Sequence, residues 1–268
     1  MNNIISKERK EYLKKNKNQK RKVIITQILI LIAFLGVWEI LADTQIIDSF
    51  ITSSPSRILK TFMDLGSNDL IHHIGVTVYE TVVGFLLGTV IGIIVAILLW
   101  WSNFLAKVTE PYLVVLNSLP KVALGPVIII WVGAGTPAII VMAVSISLIV
   151  TILENLNGFL RTDKELIKMA KTFKANKWQI LTKIVIPANI GTFINSLKVN
   201  IGLSLVGVIS GEFLVSKAGL GYLIVYGGQV FKLDLVMTSV LILEIVAGIM
   251  YGLVLLLEKW IVNSKKFK

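Results

Sequence analysis

The chain has 268 residues, of which 55% are hydrophobic, and its mean hydropathy is +0.79. This composition indicates a polytopic membrane protein, because a soluble domain of this length would have too little polar surface to cover itself. Cysteine is absent, which excludes disulfides and thiol chemistry, and the distribution of the +11 net charge argues against a nucleic-acid partner.

The first 22 residues form a basic tail with nine Lys or Arg, and an apolar run follows at 23–42. A secretory signal has a shorter apolar core and a small-residue cleavage site, so we interpret the run as an uncleaved first span. The tail would also suit a basic arm for nucleic acid. A topology signal that faces the cytoplasm and anionic lipid is the simpler interpretation, and we expect the lipid bilayer but no nucleic acid as a partner.

Six apolar segments are each long enough to cross a hydrocarbon layer of about 30 Å as a helix. They are 23–42, 74–101, 109–133, 137–157, 189–213 and 236–260. The sequence "GAGTP" reads as a tight turn between the third and the fourth. The predicted fold class is therefore an all-α membrane protein with six transmembrane helices, in which one domain, 23–268, follows the basic tail.

The distribution of basic residues predicts the orientation of these spans. With the N-terminus inside, the inner segments and the adjacent Lys259 hold 21 of the 27 Lys and Arg, whereas the outer segments hold four. The inner segments are 1–22, 102–108, 158–188 and 261–268. The positive-inside rule therefore predicts that both termini are cytoplasmic.

One outer segment, 43–73, is polar enough to leave the bilayer. It contains "SSPSRILKTFMDL", which is typical of a short surface helix. Ser54 is a candidate N-cap and Pro55 suits the first turn.

Three glycines of the second span, Gly84, Gly88 and Gly92, recur every four residues. This spacing places them on one helical face, where a neighbouring backbone can approach closely. We interpret them as helix-packing residues and not as a substrate site.

The third span contains "NSLPKVALGP", and we place it near the inner half of that span. Pro120 and Pro126 interrupt the helical hydrogen-bond ladder, which membranes tolerate where protein or a water-filled cavity covers the freed carbonyls. Lys121 either extends to the inner interface or lies beside a translocation path, and Gly125 belongs to the same candidate path.

An acidic residue, Glu212, lies near the outer end of the fifth span, among Gly207, Gly211, Gly219 and Gly221. A lone acid at this depth usually faces the bundle interior, where it would have a role in packing or gating. Placement at the membrane interface is the alternative. Four other acidic residues in or near spans are weaker candidates: Glu39, Glu80, Glu154 and Glu244.

No catalytic or metal-binding motif emerges from the sequence. It has no phosphate-binding loop of the GxxxxGK[ST] type, no HExxH and no nucleophile elbow, so we expect no enzyme activity and no cofactor in this chain. His72 and His73 are adjacent, but two histidines alone do not make a metal site.

The segment between the fourth and fifth spans, 158–188, contains a basic, partly amphipathic stretch. "ELIKMAKT" favours a helix, "FKANK" breaks the pattern, and "WQILTKIVIP" predicts a second helix that ends at Pro187. The two short helices would suit either anionic lipid or a groove on a soluble partner. In a docking role, the small Ala170 is expected to face that groove.

This stretch resembles the "EAA" loop of membrane subunits of binding-protein-dependent ABC importers. Ala170, the spacing and the ending "IVIP" up to Pro187 match the family pattern, and "ANKWQ" fits its usual continuation. Lys168 stands where the family usually has glutamate, and Lys174 where it has glycine. Lysine at such a bend costs about 1 kcal/mol or requires another bend geometry.

Further motifs extend the resemblance to the nitrate/sulfonate/taurine branch of these permeases. They are "PSRIL", "LPKVALGPVIIIWVGAG" and "GEFLVSKAGLGYLI". The resemblance implies a type I ABC importer permease fold in the bacterial cytoplasmic membrane, working as a pair. The implied cargo is a small anionic solute of the sulfonate, nitrate or taurine type, and vitamin precursors are the alternative. It also implies two cytoplasmic ATPase subunits that bind ATP and Mg²⁺, and an extracytoplasmic solute-binding protein.

We predict two sets of functional residues, one from the resemblance and one from the residues of the spans. The set for ATPase coupling is Glu165, Lys168, Ala170, Lys171, Lys174, Ala175, Asn176 and Pro187. The set for the translocation path is Pro120, Lys121, Gly125, Pro126 and Glu212. A secondary transporter or channel that works without an ATPase is the alternative function.

Overall fold

The computed structural model describes residues 7–66 and 69–265, and in this part of the chain every regular element is helical. Five helices are long: α1 Lys7–Asp43, α4 Leu70–Trp101, α7 Thr136–Leu160, α11 Ile190–Val215 and α13 Leu233–Lys265. The shorter ones are α2 Ser49–Thr52, α3 Pro55–Gly66, α5 Asn103–Ser118, α6 Gly125–Val132, α8 Lys164–Thr172, α9 Lys177–Ile180, α10 Ile186–Ala188 and α12 Leu220–Gln229. The predicted all-α fold is confirmed.

The third span differs from the prediction because it is not one helix. α5 and the segment Lys121–Val132, which ends in α6, are bent by 84° relative to each other. α5 also begins at Asn103, in the segment predicted as a loop, since Ser102 caps it by accepting a hydrogen bond from the Leu105 amide at 3.3 Å. Five helices of the described residues are long and apolar enough to cross a membrane. If the bent pair is counted as one further span, the number is six.

Three helices, α4, α7 and α11, form the centre of the bundle. α4 and α7 run in the same direction, because Gly84 meets Ala143 and Gly92 meets Thr151, whereas α11 runs against them. Gly88 lies against Ser147 between these two contacts. The three glycines of the second span thus face α7, where their missing side chains leave room for its backbone.

Two apolar clusters lie at opposite ends of the bundle. One joins the last turns of α4 and α7 to α8 and the segment after it, through residues such as Leu99, Phe159, Ala170 and Leu181. The other joins the start of α4 to α12 and α13. We refer to these as the α8 end and the α12 end of the bundle.

The first helix stands apart from this bundle. α1 is helical from Lys7 and continues without a break through the predicted end of the tail at residue 22, and residues 1–6 lie outside the described residues. The apolar part of α1 is exposed from Val23 to Val37, and among the described residues its main contacts are with α2 and α3.

The predicted surface helix is present as α3. Its first turn is held mainly by Glu39 of α1, which accepts hydrogen bonds from the Ser56 amide at 2.9 Å and the Ser56 hydroxyl at 2.6 Å. Ser54, the predicted cap, accepts only a long bond of 3.4 Å from the Arg57 amide. Arg57 in turn pairs with Asp234 of α13 at 2.7 Å.

Candidate functional site: the α8 loop and the broken span

The helix α8 begins at a well-formed cap. Asp163 accepts a hydrogen bond from the Glu165 amide at 2.8 Å, which satisfies one of the free amides of the first turn. Lys168 pairs with Glu165 at 2.8 Å, but both side chains are more than two-thirds exposed, so this ion pair contributes little to stability.

Ala170 faces the chain itself and not the surroundings. It is 8% exposed and packs in the cluster at the α8 end with Leu99, Ile180 and Leu181. The expectation that this alanine faces a partner groove is therefore corrected. Its small size lets α8 lie close against the ends of the spans.

The bend after α8 keeps the geometry that a glycine would favour. Lys174 has φ +57°, its amide donates to the Lys171 carbonyl at 2.9 Å, and the Ala175 amide donates to the Ala170 carbonyl at 3.0 Å. These two bonds form a Schellman motif, in which a left-handed residue ends the helix. The lysine thus adopts the strained conformation instead of another bend, at a cost of about 1 kcal/mol.

The second helix starts with a reciprocal cap. The Asn176 side chain accepts from the Gln179 amide, and the Gln179 side chain accepts from the Asn176 amide, each at 2.8 Å. This cap fixes α9 directly after the bend.

The prediction that the second helix ends at Pro187 is wrong. The chain passes from α9 through a π-helical turn, Leu181–Val185, into α10, which contains Pro187. A widened turn of this kind accommodates a residue without an amide hydrogen, so the backbone continues to Ala188 and then into α11 after one residue.

The outward face of α8 carries exposed apolar side chains that the resemblance to the EAA loop did not identify. Leu166, Met169 and Phe173 are 42%, 52% and 79% exposed, and their spacing of three and four residues places them on one side of the helix. Trp178 of α9 is also exposed. An exposed apolar row of this size is typical of an interaction surface, and the helical spacing in the sequence was a signal that could have identified it.

The broken span lies at the other end of the bundle. Gly125, at its bend, packs against Leu214 and Met142, and a Cβ there would stand 2.5 Å and 3.0 Å from their terminal methyl groups. Leu214 is in the last turn of α11, and Met142 is in the second turn of α7. The prediction that this break lies in the half of the membrane nearer α8 is therefore wrong, because α5 starts six residues earlier than assumed and reaches further across.

Lys121 lies at this bend without a carboxylate partner among the described residues. Its ammonium donates to the carbonyl of Asn117 at 3.2 Å and to the side-chain oxygen of Asn117 at 3.3 Å. Pro120 and Pro126 are exposed beside it, whereas Gly125 is buried. An amine held by neutral oxygens keeps its positive charge available to an anion.

Glu212 is buried and is used inside the bundle. It accepts hydrogen bonds from the Thr77 hydroxyl at 2.6 Å and from the Gly221 amide at 2.5 Å. The Leu220 amide donates to the same threonine hydroxyl at 2.8 Å. Glu212 therefore caps the N-terminus of α12 and does not line an open surface. A Cβ on Gly219 or Gly221 would collide with its side chain.

The weaker acidic candidates have separate environments. Glu39 holds α3, Glu244 is exposed, and Glu80 lies beside Glu212. Glu154 lines a polar cavity of about 490 Å³ between α7 and α11, a cavity that the sequence did not indicate. In the described part of the chain, no group of three acidic, histidine or cysteine residues could hold a metal ion.

Solved structures share this helical arrangement. The chain superposes on a chain of the MetNI methionine ABC transporter in inward-facing conformations, with a TM-score of 0.63 at 20% sequence identity. The match covers 73% of this chain and 95% of that chain. The fold is therefore that of an ABC importer permease.

Sequence comparisons give the family. Residues 88–265 match the family described as "Binding-protein-dependent transport system inner membrane component", and this chain belongs to it. A "Probable ABC transporter permease protein" of Haemophilus influenzae is 29% identical over 231 residues, covering 85% of this chain and 93% of that relative. The "Nitrate import permease protein NrtB" of Synechococcus elongatus is 26% identical over 218 residues, 78% of each chain. The resemblance is confirmed, and the protein is a multi-pass transport subunit of the bacterial cytoplasmic membrane.

Proposed function

We propose that this chain, as one of two identical copies, forms the translocation path of an ATP-driven importer for a small anionic solute of the sulfonate, nitrate or taurine type. Two cytoplasmic ATPase subunits bind ATP and Mg²⁺ in this assembly, and an extracytoplasmic binding protein delivers the solute. This chain hydrolyses no ATP and transmits the movement of its partners.

The observation that carries this proposal is the two-sided packing of α8. Its inner side, at Ala170, is fixed to the ends of α4 and α7, and its outer side presents Met169 and Phe173 to solvent. A partner that grips the outer side therefore acts on the spans through the inner side. Lys168 and Lys171 flank the apolar row and favour a partner with acidic residues around its groove.

The anionic solute is proposed from Lys121. Its amine lies at the bend of the broken span, bound only to the two oxygens of Asn117. Broken helices whose polar ends face a cavity are a common way to build solute sites in membrane proteins. The nitrate permease among the relatives has an anion in its name, which agrees with this choice of charge.

The coupling surface can be tested by truncating its outer side. We expect Met169→Ala/Phe173→Ala to insert and fold normally but to lose the ATPase subunit on purification. Truncation of a central interface anchor typically costs about 2 kcal/mol or more, which lowers partner occupancy roughly thirtyfold. The measurements are copurification of the ATPase and transport-coupled ATP hydrolysis.

Two matched variants control this experiment. Phe62→Ala removes an exposed aromatic from α3 at the other end of the bundle and should leave ATPase binding unchanged. Ala170→Trp should instead destabilise the chain itself, by about 1–3 kcal/mol, because it overpacks the internal cluster. Wild-type copurification and coupling in the Met169/Phe173 double variant would show that α8 is a lipid-surface helix and contradict the proposal.

A further inference from the structure

A buried carboxyl group on α4 has no part in the transport function proposed above. Glu80 is 0% exposed, and neither of its carboxyl oxygens has a hydrogen-bond partner among the residues that the structure describes. It shares a buried face of α4 with Thr77 and Gly84. An ionised carboxylate left unpaired in such a place is strongly unfavourable, and among the described residues the Thr136 hydroxyl is the donor that approaches Glu80.

The neighbour of Glu80 is a second buried carboxyl group, on Glu212 of α11. Each oxygen of Glu212 accepts a hydrogen bond, one from the Thr77 hydroxyl and one from the Gly221 amide. Because the Leu220 amide donates to the Thr77 oxygen, the threonine hydrogen is free to point at Glu212. Donors on both oxygens, at the N-terminus of α12, suit an ionised Glu212.

No cation in the described part of the chain neutralises the pair. The adjacent Tyr79 is exposed, and the nearest histidine on α4 is His73, whose Nδ1 accepts a hydrogen bond from the Gly219 amide at 3.0 Å and so carries no proton on that nitrogen. Tyr222 of α12 stacks on this histidine. α7 has no charged residue from Thr136 to Leu153, and only the hydroxyl of Thr136 approaches Glu80 from that helix.

The remaining charged groups on the packed helices are paired, exposed or held elsewhere. Lys198 of α11 pairs with Glu258 of α13, and Asp234 of α13 pairs with Arg57. Of the others, Lys217, Glu244 and Lys259 are exposed, Glu154 lies at the α8 end of α7, and Lys121 is bound to Asn117.

We propose that Glu80 and Glu212 together form a proton-binding site, in which Glu80 carries the proton and Glu212 the negative charge. Two adjacent carboxylates in a buried, cation-free site do not both ionise. Glu212 accepts two hydrogen bonds, whereas Glu80 is approached by the Thr136 hydroxyl alone among the described donors, so a proton on Glu80 removes the less well paired charge and supplies a donor beside the oxygens of Glu212. The site thereby links α4, α11 and the start of α12.

A proton fits this site better than a metal ion. Hard cations such as Ca²⁺ take six to eight oxygen ligands, and Mg²⁺ requires a near-octahedral set. Both oxygens of Glu212 already accept hydrogen bonds, which leaves the two oxygens of Glu80 and the Thr136 hydroxyl. A proton requires only one carboxyl group to carry it, which is Glu80, and one acceptor beside it, which is Glu212.

The inference goes beyond transport and predicts a direct spectroscopic signature. In the purified full chain at neutral pH, infrared spectroscopy should show the C=O stretching band of a protonated carboxylic acid. The band should disappear from the spectrum of Glu80→Gln and persist in Glu244→Gln, which changes an exposed carboxyl group on α13. A band that is absent from the wild type, or that remains unchanged in Glu80→Gln, would overturn the proposal.

Thermal unfolding against pH gives a second, independent test. Since the folded chain holds the proton, its stability is present at low pH and is lost as the pH rises to the point where Glu80 ionises. We expect the melting temperature of the wild type to fall as the pH rises above about 4, where Glu80 ionises in the unfolded chain, and to level off once Glu80 ionises in the folded chain. Most of this fall should vanish in Glu80→Gln, whose amide stays neutral. Failure of Glu80→Gln to fold would also contradict the proposal, because a neutral side chain of this size should suit the site.

Discussion

Ala143 of α7 lies against Gly84 of α4, so closely that a Cβ on the glycine would stand 2.7 Å from the Cβ of the alanine. On its other side, the backbone of Ala143 meets Gly207 of α11, where an added Cβ would stand 2.5 Å from the alanine Cα. One small residue thus lies between two glycines, and three helix backbones approach each other around it. The contact of Gly207 is the less forgiving, because it is made to backbone atoms.

We therefore predict that Gly207→Ala destabilises the protein by about 1–3 kcal/mol, since the new methyl group overpacks a contact that only backbone movement can relieve. Gly202→Ala is the matched control on the same helix. A Cβ at Gly202 meets no atom within 4 Å, so this variant should be neutral or slightly more stable. Unfolding of both variants in detergent measures the difference, and equal stabilities would contradict the close packing.

A second prediction concerns the left-handed Lys174. Lys174→Gly should stabilise the end of α8 by about 0.5–1 kcal/mol, because relief of the backbone strain exceeds the extra entropy that glycine loses on folding. The Ala175 amide, which closes the bend, should then exchange its hydrogen about two- to fivefold more slowly. Lys174→Ala removes the same charge but keeps the Cβ, so it should give no protection. Equal exchange rates in the glycine and alanine variants would show that charge, and not backbone conformation, determines this bend.

A third prediction tests the anion site at the broken span. Lys121→Glu should abolish uptake of an anionic solute while expression, insertion and ATPase binding stay normal, because the reversed charge repels the solute at the bend. Lys121→Arg keeps the charge and should retain most of the uptake. The measurement is solute uptake into cells or vesicles at matched protein levels. Normal uptake by Lys121→Glu would place the lysine outside the path.

A fourth prediction concerns orientation. A reporter that is active only in the cytoplasm should be active when fused after Lys268 and silent when fused at Ser67, because the basic residues concentrate in the segments assigned to the inside. Both fusion points lie outside the described residues. The opposite pair of activities would reverse the orientation and place α8 outside the cell.

The sequence predicted elements whose signals are local. The apolar lengths of α4, α7, α11 and α13 give the long helices, and the four-residue spacing of glycines gives one packing face. The pattern around Ala170 gives two short helices and a bend. In each case the residues that determine the structure are a few positions apart.

Contacts between distant segments could not be predicted in this way. The sequence left the placement of Glu212 open between the bundle interior and the interface, because its donor Thr77 lies 135 residues earlier in the chain. The inward direction of Ala170 depends on the ends of α4 and α7, and the depth of Pro120 depends on where α5 begins. These features are set by packing between helices, which the order of residues along one helix does not specify.

The attachment of α8 to the end of α7 makes that long helix a lever. α7 has 25 residues, so it is about 37 Å long at about 1.5 Å per residue. Its fulcrum is the tight contact around Ala143, which α4 and α11 hold from both sides. Because this contact lies nearer the α12 end, the arm on the α8 side is the longer one. A tilt of α7 about this contact would therefore displace the end at α8 further than the end beside the broken span.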